Sequence, residues 1–269
     1  MDSESSRLWH ALGLGPVWRL RGAGADAAPD VPVAVPADHA AALHADAPVD
    51  ETTAGPLPGA SDLPDWESLE AAVTACTACG LCETRTQTVF GVGHKTAHWM
   101  FVGEAPGAEE DARGEPFVGQ AGRLLDNMLA AVDLGRDRPD AHGVYIANVL
   151  KCRPPGNRNP QPPEVLQCAP YLRRQIALLR PRLLVLLGRF AVDALLQTDA
   201  SIASLRGRVH EVVVDDGAGS VRVPAIVTYH PSYLLRNLAE KARAWEDLLL
   251  ARDTYALLEP SAGFSVATP

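Results

Sequence analysis

The chain has 269 residues, of which 47% are apolar, and it is therefore long enough to bury a sizeable hydrophobic core. No stretch of it approaches the roughly 18 consecutive apolar residues of a membrane span. The start of the chain is acidic at Asp2 and Glu4, where a secretory signal would be basic and then apolar. We therefore expect a cytoplasmic protein that does not contact a membrane.

The formal net charge of -9 is distributed unevenly along the chain. Residues 1–70 carry 12 acidic side chains and only 3 Lys or Arg, whereas residues 71–269 carry 21 of each sign. The larger part of the chain can therefore present a basic surface to nucleic acid in spite of the negative total.

Composition divides the chain into four parts. Residues 1–21 contain two tryptophans and form either a terminus that folds back on the domain or a docking element for a partner protein. Residues 22–65 contain seven prolines and no Lys or Arg. Such a segment cannot bury enough apolar surface to offset the entropy of ordering, which predicts a disordered linker. Residues 66–260 form the folded domain, and residues 261–269 are a C-terminal tail.

Short apolar runs alternate with helical stretches through the folded domain. The runs are rich in Val, Leu, Ile and aromatic residues, and they predict strands at 98–103, 144–150, 183–188 and 225–229. Helices are predicted at 121–131, 163–179, 190–197 and 240–258. Residues 209–214 and 221–224 flank a turn-forming segment and predict an added hairpin. This order predicts a single α/β domain of three layers, in which helices cover both faces of a mainly parallel, four-stranded central sheet.

Residues that follow the predicted strands are the candidates for a functional site, because ligands of parallel sheets bind at the carboxyl ends of the strands. Gly103 and Glu104 come at the end of the first strand, in a region rich in glycine and proline that could approach a phosphate group and that also contains Phe117. Asn148 lies at the end of the second strand, and His230 follows the fourth. Each residue alone is more often structural than catalytic, but three polar strand ends at one edge of the sheet favour a site.

The chain has five cysteines, at positions 76, 79, 82, 152 and 168. A disulfide framework is not expected, because there is no export signal and the number is odd. Cys76 and Cys79 form a C-x2-C pair, and Cys152 and Cys168, with 15 residues between them, can supply two more thiolates. Cys82 competes for a place, since it forms a second C-x2-C pair with Cys79. Four thiolates suit either tetrahedral zinc or a [4Fe-4S] cluster, and the spacing alone does not decide between them.

Five blocks of sequence occur in a fixed order between Ala75 and Tyr255. They are C-T-A-C at 76–79 with Arg85 and V-F-G at 89–91, G-E-A-P-G at 103–107 with P-F-V-G at 116–119, N-V-L-K-C-R-P-P at 148–155, Cys168, and H-P-S-Y-L-L-R at 230–236. Together they resemble the family 4 uracil-DNA glycosylases of bacteria and archaea, the iron-sulfur branch of the uracil-DNA glycosylase superfamily.

The resemblance implies an enzyme of base excision repair that flips uracil out of DNA and hydrolyses its N-glycosidic bond, leaving an abasic site. It implies a structural [4Fe-4S] cluster on Cys76, Cys79, Cys152 and Cys168, with Cys82 as a non-ligand. We expect a monomer in the bacterial cytoplasm that is associated with uracil-containing DNA, either single- or double-stranded.

The resemblance also implies a role for each strand-end residue. Phe117 stacks on uracil, Asn148 reads the edge of the base, and Gly103 and Glu104 lie beside it. His230 donates a hydrogen bond to the uracil oxygen that gains charge as the bond breaks. Family 1 enzymes have an aspartate and a tyrosine in the first motif where this chain has alanine and glycine, so Glu104 is the nearest candidate to position the water.

Contacts with the DNA are expected from the last block and from the segment between the second pair of cysteines. Leu234 or Leu235 would enter the base stack to fill the space that uracil leaves, and Arg236 would bind a phosphate. Arg153 and Arg158 are further expected phosphate contacts.

Two other classes of protein remain open at this point. A nucleic-acid binding module held together by zinc would use the same cysteines, but it would not need Asn148 and His230 together at a strand-end edge. A polymerase-associated accessory domain would act as an adaptor, with the tryptophan-containing N-terminal segment binding a repair or replication protein.

Overall fold

The structure is a computed structural model, and it describes residues 63–215 and 219–258. The N-terminal segment at 1–21, most of the predicted linker and the tail at 261–269 lie outside the described residues. No helix in the described part of the chain is long and apolar enough to cross a membrane.

Six strands of the described part of the chain form one mixed sheet. They are β1 (Val92–Gly93), β2 (Trp99–Gly103), β3 (Val144–Asn148), β4 (Leu183–Leu187), β5 (Val209–Asp215) and β6 (Ser220–Thr228). The strand order is β1-β3-β2-β4-β6-β5, in which the four central strands run parallel and each edge strand runs antiparallel to its neighbour. The predicted α/β fold with four central parallel strands is therefore confirmed. Strand β1 was not predicted, because two residues are too few to show a periodic pattern.

Strand β6 differs from the prediction. The predicted hairpin strand at 221–224 and the predicted strand at 225–229 form one continuous strand. Pro224 lies within it and pairs with Glu211 of β5, whereas β4 begins to pair only at Ala225. Because proline cannot donate a main-chain hydrogen bond, it is tolerated at this point, where β6 has a neighbour on one side only.

Helices cover both faces of the sheet. They are α1 (Trp66–Thr74), α2 (Ala108–Arg113), α3 (Gln120–Ala131), α4 (Pro162–Leu179), α5 (Arg189–Leu196), α6 (Ile202–Leu205), α7 (Pro231–Arg236) and α8 (Lys241–Leu258). The four predicted helices correspond to α3, α4, α5 and α8, and their ends agree to within one residue.

The core consists of two apolar layers, one on each face of the sheet. Strands β2, β3 and β4 are buried along their whole length, which explains why their sequences are apolar without alternation. Met100 and Val102 of β2 pack in one layer with residues of α4 and α5, whereas Trp99 and Phe101 pack in the other layer with residues of α3 and α8. This alternation is that of a strand between two helical layers, so the three-layer prediction is confirmed.

The register of the sheet aligns the strand ends that carry the candidate residues. Gly103 at the end of β2 is the pairing partner of Asn148 at the end of β3. Leu187 at the end of β4 is the partner of Thr228 at the end of β6, two residues before His230. The carboxyl ends of four parallel strands therefore meet at one edge of the sheet.

Candidate active site

A cleft of about 730 Å³ opens at this edge. Its walls include Glu104, Phe117, Asn148, His230 and Arg236, all of which the sequence analysis assigned to the site. The topology of the sheet thus brings together residues from three separate blocks of sequence.

The close approach of Asn148 and Phe117 depends on a glycine at the end of β2. A Cβ atom at Gly103 would lie 2.4 Å from Oδ1 of Asn148 and 2.6 Å from Cζ of Phe117, and neither distance is possible between unbonded atoms of these kinds. Only glycine therefore lets the amide and the phenyl ring meet at the end of β2.

Asn148 is buried and holds an acceptor that no protein group satisfies. The residue is only 2% exposed, and Oδ1 of its side-chain amide has no hydrogen-bond partner within the protein. An unsatisfied buried acceptor costs about 1 to 3 kcal/mol, so a buried atom of this kind calls for an explanation. The atom is suited to accept a hydrogen bond from a ligand in the cleft.

Phe117 provides an aromatic wall next to this amide. Its residue is 5% exposed, and its ring centroid lies 5.5 Å from that of His230, with an angle of 32° between the ring planes. Its φ of 56° places the main chain in the left-handed region, which is uncommon for a residue other than glycine.

The imidazole of His230 is fixed in one tautomer. His230 precedes α7, and its Nδ1 accepts a hydrogen bond of 3.1 Å from the main-chain N–H of Ser232. Burial lowers the pKa of His230 to about 4, and the nearby charge of Arg236 lowers it further while Glu110 opposes the shift. The ring is therefore neutral near pH 7, and its single N–H is at Nε2.

A second glycine leaves room for the side chain of His230. Gly188, which precedes α5, has a φ of 86°, and a Cβ atom there would lie 2.9 Å from Cβ of His230. The chain at the end of β4 can therefore approach the histidine only because this residue has no side chain.

Glu104 lies partly buried in the wall of the cleft. Burial raises the pKa of its carboxyl group, and the positive charge of Arg236 opposes that shift. Its main-chain oxygen accepts a hydrogen bond of 3.0 Å from the N–H of Leu150, which holds the residue against the loop after β3.

Glu110, which the sequence analysis did not single out, ties two glycine-containing loops together. Its carboxylate accepts hydrogen bonds from the main-chain N–H groups of Gly107 at 3.1 Å, Val118 at 3.0 Å and Gly119 at 3.1 Å. The sequence suggested that these loops could bind a phosphate group. The structure differs, because the carboxylate of Glu110 already accepts the hydrogen bonds of these three N–H groups. A Gly-x-x-Glu spacing at the start of α2 could have given the signal.

The two leucines of the last block have different environments. Leu234 is 1% exposed and packs with Tyr229 and Ala244, whereas Leu235 is 37% exposed. Arg236 is exposed and lies at the cleft. Of the two leucines, only Leu235 is accessible to a DNA molecule.

Arg153 and Arg158 also differ. Arg158 donates to both carboxylate oxygens of Glu164, so its charge is compensated by a neighbour. Arg153 donates a hydrogen bond of 2.7 Å to the amide of Asn157, and this neutral partner does not compensate its positive charge. Arg153 is therefore the stronger candidate for a phosphate contact.

All five cysteines line a second, smaller cavity. The guanidinium of Arg85 donates to Sγ of Cys152 at 3.1 Å, and the main-chain N–H of Lys151 donates to Sγ of Cys168 at 3.2 Å. Burial raises the pKa of the Cys168 thiol to about 12. Among residues 63–215 and 219–258, no three Cys, His, Asp or Glu side chains lie close enough together to hold a single metal ion.

A buried lysine connects this cavity with the cleft. Lys151 is 1% exposed and precedes Cys152, and its ammonium group donates to the main-chain oxygen of Asn148 at 2.8 Å and to Oε1 of Gln175 at 2.6 Å. Lys151 stands within one of the sequence motifs, but no role was predicted for it, because lysine side chains are usually exposed.

Comparison with known proteins agrees with this geometry. Residues 90–249 match the model of the uracil DNA glycosylase superfamily. The chain is 45% identical over 167 residues to a type-4 uracil-DNA glycosylase of Archaeoglobus fulgidus, a match that covers 61% of this chain and 79% of the relative. It is 40% identical over 186 residues to one of Pyrobaculum aerophilum, with 69% and 92% covered, and 42% identical over 172 residues to one of Thermotoga maritima, with 64% and 83% covered. The chain therefore belongs to the uracil-DNA glycosylase superfamily and, within it, to the type-4 uracil-DNA glycosylases.

Proposed function

We propose that the protein removes uracil from DNA by hydrolysing the N-glycosidic bond, in the first step of base excision repair. The observation that carries the proposal is the unsatisfied Oδ1 of the buried Asn148, which lies beside the ring of Phe117 in the cleft that His230 also lines. Because the cleft is recessed below the protein surface, the target nucleotide has to leave the base stack to reach it.

Recognition of the base follows from the amide of Asn148. Its Oδ1 accepts a hydrogen bond from N3–H of uracil, and its Nδ2 donates to O4. Cytosine has an acceptor at N3 and an amino group at position 4. In the same orientation, Oδ1 of the amide would face the acceptor N3, and Nδ2 would face the amino donor. The phenyl ring of Phe117 supplies the face on which the base stacks.

Bond cleavage depends on His230. As the bond between C1′ and N1 breaks, its electron pair passes to the base, and negative charge develops on uracil O2. The Nε2–H of the neutral imidazole donates to that oxygen, and this hydrogen bond strengthens as the charge grows. The water oxygen adds to C1′ and gives up a proton to the Glu104 carboxylate, and the departed uracil anion takes up a proton, so that neutral uracil and an abasic site result.

Glu104 is the group that positions the water. Its carboxyl group lies in the wall of the cleft, and its raised pKa brings it nearer to the pKa at which a carboxylate accepts a proton from water efficiently. The nearby positive charge of Arg236 opposes this rise in the pKa of Glu104.

Contacts with DNA come from residues around the mouth of the cleft. Leu235 is the exposed leucine that fills the gap in the base stack, since Leu234 is held in the core. Arg236 and Arg153 bind phosphates.

The cavity lined by the cysteines fits a [4Fe-4S] cluster held by Cys76, Cys79, Cys152 and Cys168. Four thiolates suit such a cluster as well as they suit zinc, and the match to the type-4 uracil-DNA glycosylases supports the cluster. When bound, the cluster supplies a structural cross-link and no chemistry to the reaction. Arg85 and the N–H of Lys151, which already donate to two of the sulfur atoms, stabilise the thiolates.

An oligonucleotide with one uracil tests the activity. After incubation and alkali treatment, strand cleavage at the uracil is expected with the parent protein, together with a loss of about 10²- to 10³-fold in single-turnover rate for His230→Ala, as for a lost oxyanion donor. Asn148→Ala should bind DNA but excise poorly. Asn127→Ala and His94→Ala alter exposed residues away from the cleft and serve as controls. Absence of cleavage by the parent protein would overturn the proposal.

A further inference from the structure

Arg136 lies in the loop between α3 and β3, and none of the five motif blocks includes it. Its side chain is only 10% exposed. One of its terminal nitrogens donates to the main-chain oxygen of Pro116 at 3.0 Å, and the other donates to the main-chain oxygen of Phe117 at 3.0 Å. A single guanidinium group therefore holds two consecutive carbonyl groups of the turn that carries the phenyl ring.

Two carboxylates hold the guanidinium group in place. Nε donates to Asp126 of α3 at 3.0 Å, and a terminal nitrogen donates to Glu115 at 2.8 Å. Two acids thus balance the charge of a largely buried cation, and they leave the remaining donors directed at the turn. The planar fork of arginine suits this task, whereas lysine has only a point charge.

The turn at Phe117 needs such support. Its φ of 56° is a left-handed conformation, which is unfavourable for a residue other than glycine. Its main-chain oxygen also lies close to the first turn of α3. If Gly122 had a Cβ atom, that atom would be only 1.8 Å from this oxygen. Strained main-chain conformations persist only where their surroundings hold them.

We propose that Arg136 is a positioning residue for uracil binding: it fixes the turn at Phe117 so that the phenyl ring stands beside Asn148. This role rests on the proposed function. Arg136 lines no part of the cleft given above and acts only through the main chain of Pro116 and Phe117. A small displacement of the ring disturbs the stacking of the base and its alignment with His230.

A double-mutant cycle tests the proposal. Arg136→Met keeps most of the side-chain length but removes every donor, and Phe117→Ala removes the ring that the arginine is inferred to position. Arg136→Met should lower the single-turnover rate of uracil excision by about 10- to 100-fold in the parent protein, as expected for a misplaced binding group. In the Phe117→Ala background the same change should have an effect of less than about twofold, because the two residues act as one unit.

Binding measurements separate positioning from a general structural role. Calorimetry should show weaker binding of free uracil by Arg136→Met, with unchanged affinity for DNA that lacks uracil. Arg222→Met, which breaks an exposed ion pair with Glu211 at the edge of the sheet, is the control and should change neither quantity. If Arg136→Met does not fold, Arg136→Lys keeps the charge but cannot span both carbonyl groups, and the same defect is expected from it.

The possible outcomes are distinct. Equal losses from Arg136→Met in both backgrounds, or equal losses of affinity for uracil and for DNA without uracil, would overturn the positioning role while leaving the proposed function intact. A parent protein that does not excise uracil would overturn the proposed function and this role with it.

Discussion

The ammonium group of Lys151 donates a 2.8 Å hydrogen bond to the main-chain oxygen of Asn148. The same ammonium group donates to Gln175, whose amide in turn donates to the main-chain oxygen of Phe90 and to the hydroxyl of Tyr145. Asn148 is thus held from behind by a buried polar network that begins next to Cys152. The end of β3 and the wall of the cysteine cavity form one hydrogen-bonded unit.

We expect Lys151→Met to weaken both the fold and the reaction. The change leaves the oxygens of Asn148 and Gln175 without a donor, at a cost of about 1 to 3 kcal/mol for each buried acceptor. The melting temperature and the single-turnover rate should both fall, and thermal denaturation and excision assays measure them. Lys241→Met, at an exposed position where α8 begins, is the control. An unchanged melting temperature would show that the network does not contribute to stability.

Gly103→Ala should abolish excision in a protein that still folds. The added methyl group would meet Oδ1 of Asn148 and the ring of Phe117 at impossible distances, so these two side chains have to move apart. Gly219→Ala provides a matched control, since a Cβ atom there has no neighbour within 4 Å. Excision assays and circular dichroism on both variants check the prediction, which a fully active Gly103→Ala would contradict.

His230 should make the fold sensitive to acid. Its pKa is about 4 in the folded protein against an ordinary value of 6.5, so the unfolded chain takes up a proton at a higher pH than the folded one. The stability that this group contributes is fully present above about pH 6.5 and is lost as the pH falls through about 4. Melting temperatures of the parent and of His230→Ala, measured between pH 4 and 7, should therefore show a weaker pH dependence in the variant. Parallel curves would rule the effect out.

The cysteine assignment predicts opposite results for two residues of one cavity. Cys168→Ala should lose iron and the broad absorption near 400 nm of an iron-sulfur protein, and Cys82→Ala should retain both. Iron analysis of anaerobically purified protein measures the difference. Stoichiometric zinc in the parent protein, or loss of iron from Cys82→Ala with retention in Cys168→Ala, would contradict the assignment.

Arg236 and Arg158 should differ in their effect on DNA binding. Arg236→Ala is expected to lower affinity and to reduce the salt dependence of binding by about one released counterion. Arg158→Ala should have a smaller effect, because the donors of Arg158 are already occupied by Glu164. Titrations at several salt concentrations compare the two variants, and a larger effect of Arg158→Ala would reverse the assignment.

The sequence was enough to predict the four central parallel strands, four of the helices and the place of a few cleft residues at the strand ends. Strands β2 to β4 are continuous apolar runs, and residues such as Asn148 and His230 stand where those runs end, so their position could be inferred from topology. The continuity of β6 could not be inferred, because a proline inside an apolar run usually marks the end of a strand.

The supporting residues of the site were harder to predict. Arg136, Glu110 and Lys151 act on main-chain atoms, and such contacts leave no periodic pattern in the sequence. The choice between Leu234 and Leu235 required the packing of α7, because a helix of six residues is too short for its buried face to be read from sequence.

Strand β6 also determines where the protein can be labelled. Strand β4 pairs only with the part of β6 from Ala225 to Thr228, so Ser220 to Val223 pair with β5 alone and form a two-stranded ribbon. At about 3.3 Å per residue, Ser220 lies roughly 26 Å along the strand from the edge where the cleft opens. A fluorophore attached at Ser220 would therefore report the slower tumbling of a DNA complex from a point at the far end of the strand from the cleft.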